Sequence, residues 1–204
     1  MRLFIALDID DAIRERIVRF MEGVSGFAPD ARWARPESLH VTLKFIGEQP
    51  EPMLEEIKRA LGPVAAGEVT LRFRGYGFFP TAKAPRVFWI GIEAGPELAT
   101  PAAAVDQQTA RLVIPKEERA FSPHLTLARG GARGATSSGS PRWRKGDGPN
   151  RSFQRLQEKL AALPTPEFGT MTAHEFFLYQ SQVSPGGSKY TKLARFDLRP
   201  RASN

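Results

Sequence analysis

Short apolar runs alternate with amphipathic stretches along most of the chain. Arg2-Leu3-Phe4-Ile5-Ala6-Leu7 and Arg86-Val87-Phe88-Trp89-Ile90-Gly91 read as buried strands, rich in branched and aromatic side chains. Apolar residues three and four apart predict helices over about 11–24 (Ile13, Ile17, Phe20, Met21, Val24), 51–65 (Met53, Leu54, Ile57, Leu61), 96–112 and 152–162 (Leu156, Leu160). Strands are expected over about 2–8, 39–46, 69–79, 86–93, 122–128, 168–181 and 190–198.

This order repeats. The two apolar runs lie 84 residues apart, and so do Ser38-Leu39-His40-Val41-Thr42-Leu43 and Ser122-Pro123-His124-Leu125-Thr126-Leu127. Two matches at one offset predict a duplicated chain with half-repeats at about 1–80 and 85–181 in a single bilobal domain. Alternation of strands and helices fits either a parallel βαβ sheet or a duplicated α+β unit. Residues 130–151 break the symmetry. They are rich in Gly, Ser, Pro and Arg, lack apolar periodicity and are expected to form a flexible basic insertion. The insertion is read as a surface loop, with a basic flap over a bound polyanion as the functional alternative.

Composition narrows the chemistry. The 204 residues include no cysteine, which excludes a disulfide framework, a thiolate zinc site and a cysteine nucleophile. The first apolar run is too short for a signal-peptide core, and no run approaches the roughly 20 apolar residues of a membrane helix. A cytoplasmic monomer without a membrane partner is expected. The net charge of +7 favours polyanionic partners.

Side chains two apart in a strand share a face, so His40 lies beside Thr42 and His124 beside Thr126. Opening a cyclic phosphodiester with water needs a base for the water proton and an acid for the departing oxygen. Imidazole, with an unperturbed pKa of about 6.5, suits both roles. Threonine hydroxyls can hold phosphoryl oxygens as their charge grows. Metal binding is the rival use of paired histidines. It needs three or four ligands, and the only acids within six residues of either histidine are Glu37 and Glu118. No metal and no cofactor are expected. His174 has no counterpart in the repeat and reads as structural or surface-exposed.

At these residues the chain resembles the two-histidine (2H) phosphoesterase superfamily, within it the bacterial and archaeal RNA 2′,3′-cyclic phosphodiesterases, also called 2′-5′ RNA ligases or LigT-like proteins. The motifs are His40-Val41-Thr42-Leu43 and His124-Leu125-Thr126-Leu127, with matching flanks from Arg32-Trp33 to Glu48, at Ala128-Arg129, and from Ser181-Gln182 to Leu198. The resemblance covers nearly the whole chain apart from 130–151. It implies an α+β fold with two antiparallel sheets lining a central cleft and helices outside, and so decides against the parallel sheet. It implies His40 as proton donor to the leaving oxygen and His124 as the base that activates water, giving a 2′-phosphomonoester. Ligation through a 2′-5′ bond would replace water by a 5′-hydroxyl. The resemblance further implies that Phe45 stacks on a base and Arg129 contacts phosphate. Strict alternation would put both on the face opposite the histidines, so each strand must end or bulge just before them. Tyr190 and Lys189 are open candidates for the cleft wall. Two alternatives stand beside an RNA-end phosphodiesterase: an enzyme for small cyclic nucleotides or ADP-ribose cyclic phosphate, and a nucleotide- or RNA-binding module.

Overall fold

The computed structural model describes residues 1–118, 120–130, 153–184 and 187–198. The insertion expected over 130–151 lies, from 131 onward, outside the described residues. In chain order the elements are β1 (Arg2–Leu7), α1 (Asp11–Val24), β2 (Arg32–Trp33), β3 (Val41–Glu48), α2 (Met53–Leu61), β4 (Val69–Phe79), β5 (Val87–Ala94), α3 (Ala99–Ala110), β6 (His124–Arg129), α4 (Gln154–Ala161), β7 (Glu167–Ala173), β8 (Glu175–Ser184) and β9 (Gly187–Asp197).

Helix α1 buries Ile13, Ile17, Met21 and Val24 as one stripe. The half-buried Phe20 packs edge-on against Phe168 of β7, with ring centroids 5.2 Å apart. Helix α2 is shorter than its apolar pattern. It stops at Leu61, because Gly62 and Pro63 end the run and proline cannot continue a helix. Helix α3 is preceded by a 3₁₀ turn at Pro96–Leu98 that takes up the start of the expected segment.

The described strands form two antiparallel sheets, as the resemblance implied: β3-β1-β8-β9 and β2-β6-β5-β4-β7. Strand β4 pairs with β5, and β8 pairs with β1. The last strand of each sequence half therefore completes the sheet of the other half. The single strand expected over 168–181 is a correction: it is two strands in different sheets, β7 beside β4 and β8 beside β1. The chain crosses between sheets at His174, an exposed residue whose Nδ1 lies 2.8 Å from Oε1 of Glu68. Two residues suffice for β2, too few for any periodicity to register.

The faces of β1 divide the interior. Leu3, Ile5 and Leu7 join the helices and the buried residues of β3 and β5 in the main core. Phe4 and Ala6 point the other way and pack with Phe177, Tyr179 and Tyr190. His40 and Phe45 stand on that second, aromatic cluster. Among the described residues no helix is long and apolar enough to cross a membrane.

Candidate active site

His40 directly precedes β3, and a 3₁₀ turn at Pro36–Ser38 delivers it there. Its Nδ1 lies 2.7 Å from the Ser38 carbonyl oxygen. His124 opens β6, with Nδ1 2.8 Å from the Ser122 carbonyl oxygen. A carbonyl can only accept, so each Nδ1 carries the proton and donates it. Both rings are thereby turned by the backbone two residues upstream. Among the described residues none hydrogen-bonds to either Nε2, which accepts when the ring is neutral and donates when it is charged.

The strands then do the same unusual thing. Thr42 pairs with Ala6, but Lys44 pairs with Ile5, so Leu43 is an extra residue. Thr126 pairs with Trp89, but Ala128 pairs with Phe88, so Leu127 is extra. Each is a β-bulge, and its effect is visible in the burial: Leu43 and Lys44 are both buried, as are Leu127 and Ala128. Two successive side chains turn inward, and the alternation resumes one step out of phase. Phe45 therefore pairs with Phe4, and Arg129 with Val87, on the same faces as the two threonines. The bulge required for Phe45 and Arg129 to reach the cleft is present in both strands. Phe45 is 59% exposed there, its ring 6.2 Å from that of Phe4.

The two imidazoles have different neighbours. His40 sits 4.8 Å from Phe4, 5.3 Å edge-on from Tyr190 and 6.2 Å from Tyr179. His124 lies 5.0 Å edge-on from Phe79 and 6.2 Å from Trp89. Trp89 lies flat over its cross-strand partner Gly77, where a Cβ would fall 2.1 Å from the indole. Glycine is the residue that admits the indole at that position.

Burial lowers the His40 pKa to about 4, with Arg129 and His124 acting in the same sense and the Ser38 carbonyl and Asp8 against it. Burial and Arg129 likewise lower His124, against the Ser122 carbonyl. Desolvation, Arg32 and Arg2 lower the Arg129 pKa, with Tyr190 opposing. Burial alone would raise Asp8. Lys192 Nζ at 2.5 Å, the Ile9 N–H at 2.9 Å and Arg14 at 2.7 Å overcome it and hold the carboxyl below its ordinary range. Lys192 also lies 4.1 Å over the Phe177 ring. Burial, and then Asp8, raise the Tyr179 phenol, which stays protonated.

Of the six side chains singled out from the sequence, Thr42 and Phe45 thus share one face of β3, with His40 just before it, and His124, Thr126 and Arg129 share one face of β6; His124 and Arg129 are close enough to act on His40. Tyr190 joins them through its contact with His40, whereas Lys189 is exposed further along β9. Several neighbours escaped the sequence reading: Phe4, Tyr179, Phe79, Trp89 and Asp8. The signal for two of them was present, since Phe4 and Asp8 share the even-numbered face of the first strand. A strand apolar on both faces hides it. Lys44 was missed too. It turns inward at the bulge, ion-pairs with Asp106 and donates to the Pro115 carbonyl at 2.9 Å. Among the described residues no group of three His, Asp or Glu side chains is placed to hold a metal ion.

Comparison with known proteins gives a consistent picture. Residues 7–89 match the family model of LigT like phosphoesterases. The RNA 2′,3′-cyclic phosphodiesterase of Archaeoglobus fulgidus is 31% identical over 197 residues, covering 97% of this chain and 100% of that protein. A crystal structure from Thermus thermophilus superposes with a TM-score of 0.73 at 29% identity, covering 99% of this chain and 100% of the other. Escherichia coli LigT in complex with 3′-AMP gives a TM-score of 0.72 at 27% identity, with 97% of each chain covered.

Proposed function

Because the chain belongs to the LigT-like phosphoesterase family, we propose that it is an RNA 2′,3′-cyclic phosphodiesterase, acting on RNA ends in the cytoplasm as a monomer whose two sequence halves form one catalytic unit. The observation that carries this reading is the pair of backbone-anchored imidazoles, each with a threonine on its own face, contributed by different sheets to one cleft.

The terminal cyclic phosphate lies between the two Nε2 atoms. His124 Nε2 takes a proton from water as the water oxygen bonds to phosphorus. The P–O3′ bond breaks, and protonated His40 gives its Nε2 proton to the departing 3′-oxygen. The product is a 2′-phosphomonoester, and one proton has moved from His40 to His124 by way of the reactants. Thr42 and Thr126 donate hydroxyl hydrogens to the non-bridging oxygens, where charge accumulates. Arg129 contacts the phosphate with its planar fork, and Phe45 stacks on the terminal base. The role of Asp8 supports this order: its negative charge favours the charged form of His40, and His124 has no such neighbour among its leading influences. With the cleft empty both rings are neutral at pH 7. The anionic substrate itself raises the affinity of His40 for its proton. A 5′-hydroxyl in place of water would lead by the same steps to a 2′-5′ linkage.

The test is hydrolysis of a short RNA ending in a 2′,3′-cyclic phosphate with excess chelator present, the product identified by phosphorus NMR. Full turnover to a 2′-phosphate is expected. Inert chelated protein that added metal restores would make the histidines ligands and overturn the mechanism.

A further inference from the structure

Several arginines elsewhere in the chain are matched with carboxylates. Arg14 pairs with Asp8, Arg72 and Arg74 with Glu93 and Glu167, and Arg195 with Glu175 and Asp197. At the cleft the pattern fails. Arg32 of β2 stands directly opposite Arg129 of β6, and among the described residues no carboxylate pairs with either. Like charges opposite each other in a ladder are destabilising, so this pair is a cost to the free protein.

The local structure holds the pair in place. Trp33, the other residue of β2, turns to the opposite face. Its indole N–H donates to the Ala28 carbonyl at 3.0 Å, and its ring packs edge-on against Phe88 at 5.9 Å. The Ala34 N–H donates to the Leu127 carbonyl at 2.7 Å. The strand is two residues long, and its anchored tryptophan sets the partner arginine on the cleft side. Arg2 approaches from the other sheet, on the face of β1 that carries Phe4, and is close enough to act on Arg129. Arg32 and Arg2 thus both act on Arg129, which in turn acts on both histidines and, in the reading above, engages the terminal phosphate.

We propose that Arg32, with Arg129 and Arg2, forms a second anion subsite for the internucleotide phosphate immediately 5′ of the terminal nucleotide. The site then prefers the end of an RNA chain to a free cyclic nucleotide. The inference rests on the reading above that the terminal phosphate lies between His40 and His124. It adds a specificity residue that neither histidine motif contains. The guanidinium fork suits a phosphodiester, which offers two non-bridging oxygens in one plane with it.

The test compares two products by calorimetry in wild type, Arg32→Ala and Arg32→Lys: a mononucleotide 2′-phosphate, and a dinucleotide with the same 2′-phosphate end. Wild type is expected to bind the dinucleotide about tenfold or more tightly, the yield of one charge-assisted contact. Arg32→Ala should reduce that ratio by about the same factor and lower the salt slope of dinucleotide binding by about 0.7. Arg32→Lys should recover part of it. Equal weakening of both products would assign Arg32 to the terminal phosphate, and an unchanged ratio would remove it from binding; either overturns the subsite. Turnover of the cyclic substrates, followed in parallel, reports on the proposed reaction alone, so the two ideas fail separately. Arg32 is exposed, and a matching thermal unfolding curve establishes that each variant is folded.

Discussion

The ends of β3 and β6 are built alike and furnished differently. Each begins with an imidazole tied to the carbonyl two residues upstream. Each places a threonine two residues later and then bulges at the next leucine. Beyond the bulge the likeness stops. β3 continues with Lys44 inward and Phe45 outward; β6 continues with Ala128 inward and Arg129 outward. In the proposed reaction the shared part holds the phosphate, which is nearly symmetric. The divergent part is not symmetric: it adds a ring for the base on one side and a further phosphate-binding charge on the other. Charge divides the histidines as well, since Arg129 acts on both whereas Asp8 acts on His40.

The strongest way to break this comparison is to remove each imidazole. His40→Ala and His124→Ala should each lower kcat by about 10²–10⁴-fold, with the fold retained by circular dichroism. The double variant should be little worse than the weaker single one, because acid and base act on one transition state. Fully multiplicative losses would mean that the two rings work independently.

The inward residues differ in kind, and stability measures this. Asp106→Ala leaves the buried Lys44 ammonium without its carboxylate and should cost about 3 kcal/mol in urea unfolding. Lys44→Met replaces the charge with an apolar chain of similar length, close to the solution that β6 reaches with Ala128, and should cost clearly less. A larger loss for Lys44→Met than for Asp106→Ala would contradict the assignment of Lys44 as a residue tolerated for its pairing.

The outward residues give the smallest expected effect. Phe45→Ala should raise KM about tenfold through lost base stacking, with kcat nearly kept, because stacking holds ground state and transition state alike. Steady-state kinetics on one cyclic nucleotide separates the two constants. A fall in kcat at constant KM would place Phe45 in the chemistry instead.

Much of this was legible in the sequence. The paired His-x-Thr motifs, their common offset and the apolar stripe of α1 survive intact because each depends on local spacing. What was lost depends on register. The cross-strand partners make Trp89, opposite Thr126, the counterpart of Ala6, opposite Thr42. That is one residue less than the 84 separating the motifs, and no string comparison reveals a strand slipped by one. The bulges were required by the resemblance but invisible to alternation, which assumes they are absent. The break at His174 went unseen because no Gly or Pro stands between Ala173 and Glu175 to mark the end of one strand and the start of the next. Phe4 and Tyr179 were hidden by lying in strands buried on both faces, where periodicity carries no information.

The central claim is that two imidazoles from different sheets share one phosphate. It is tested most directly by NMR titration of the histidine ring signals, in the free protein and with a saturating nucleotide 2′-phosphate. In the free protein both rings should titrate below the ordinary value of about 6.5, His40 at about 4, because burial disfavours their charged forms. On binding, the phosphate charge should raise both together, and in proportion to the same saturation curve. Movement of one ring alone, or an unperturbed pKa for either in the free protein, would contradict the account.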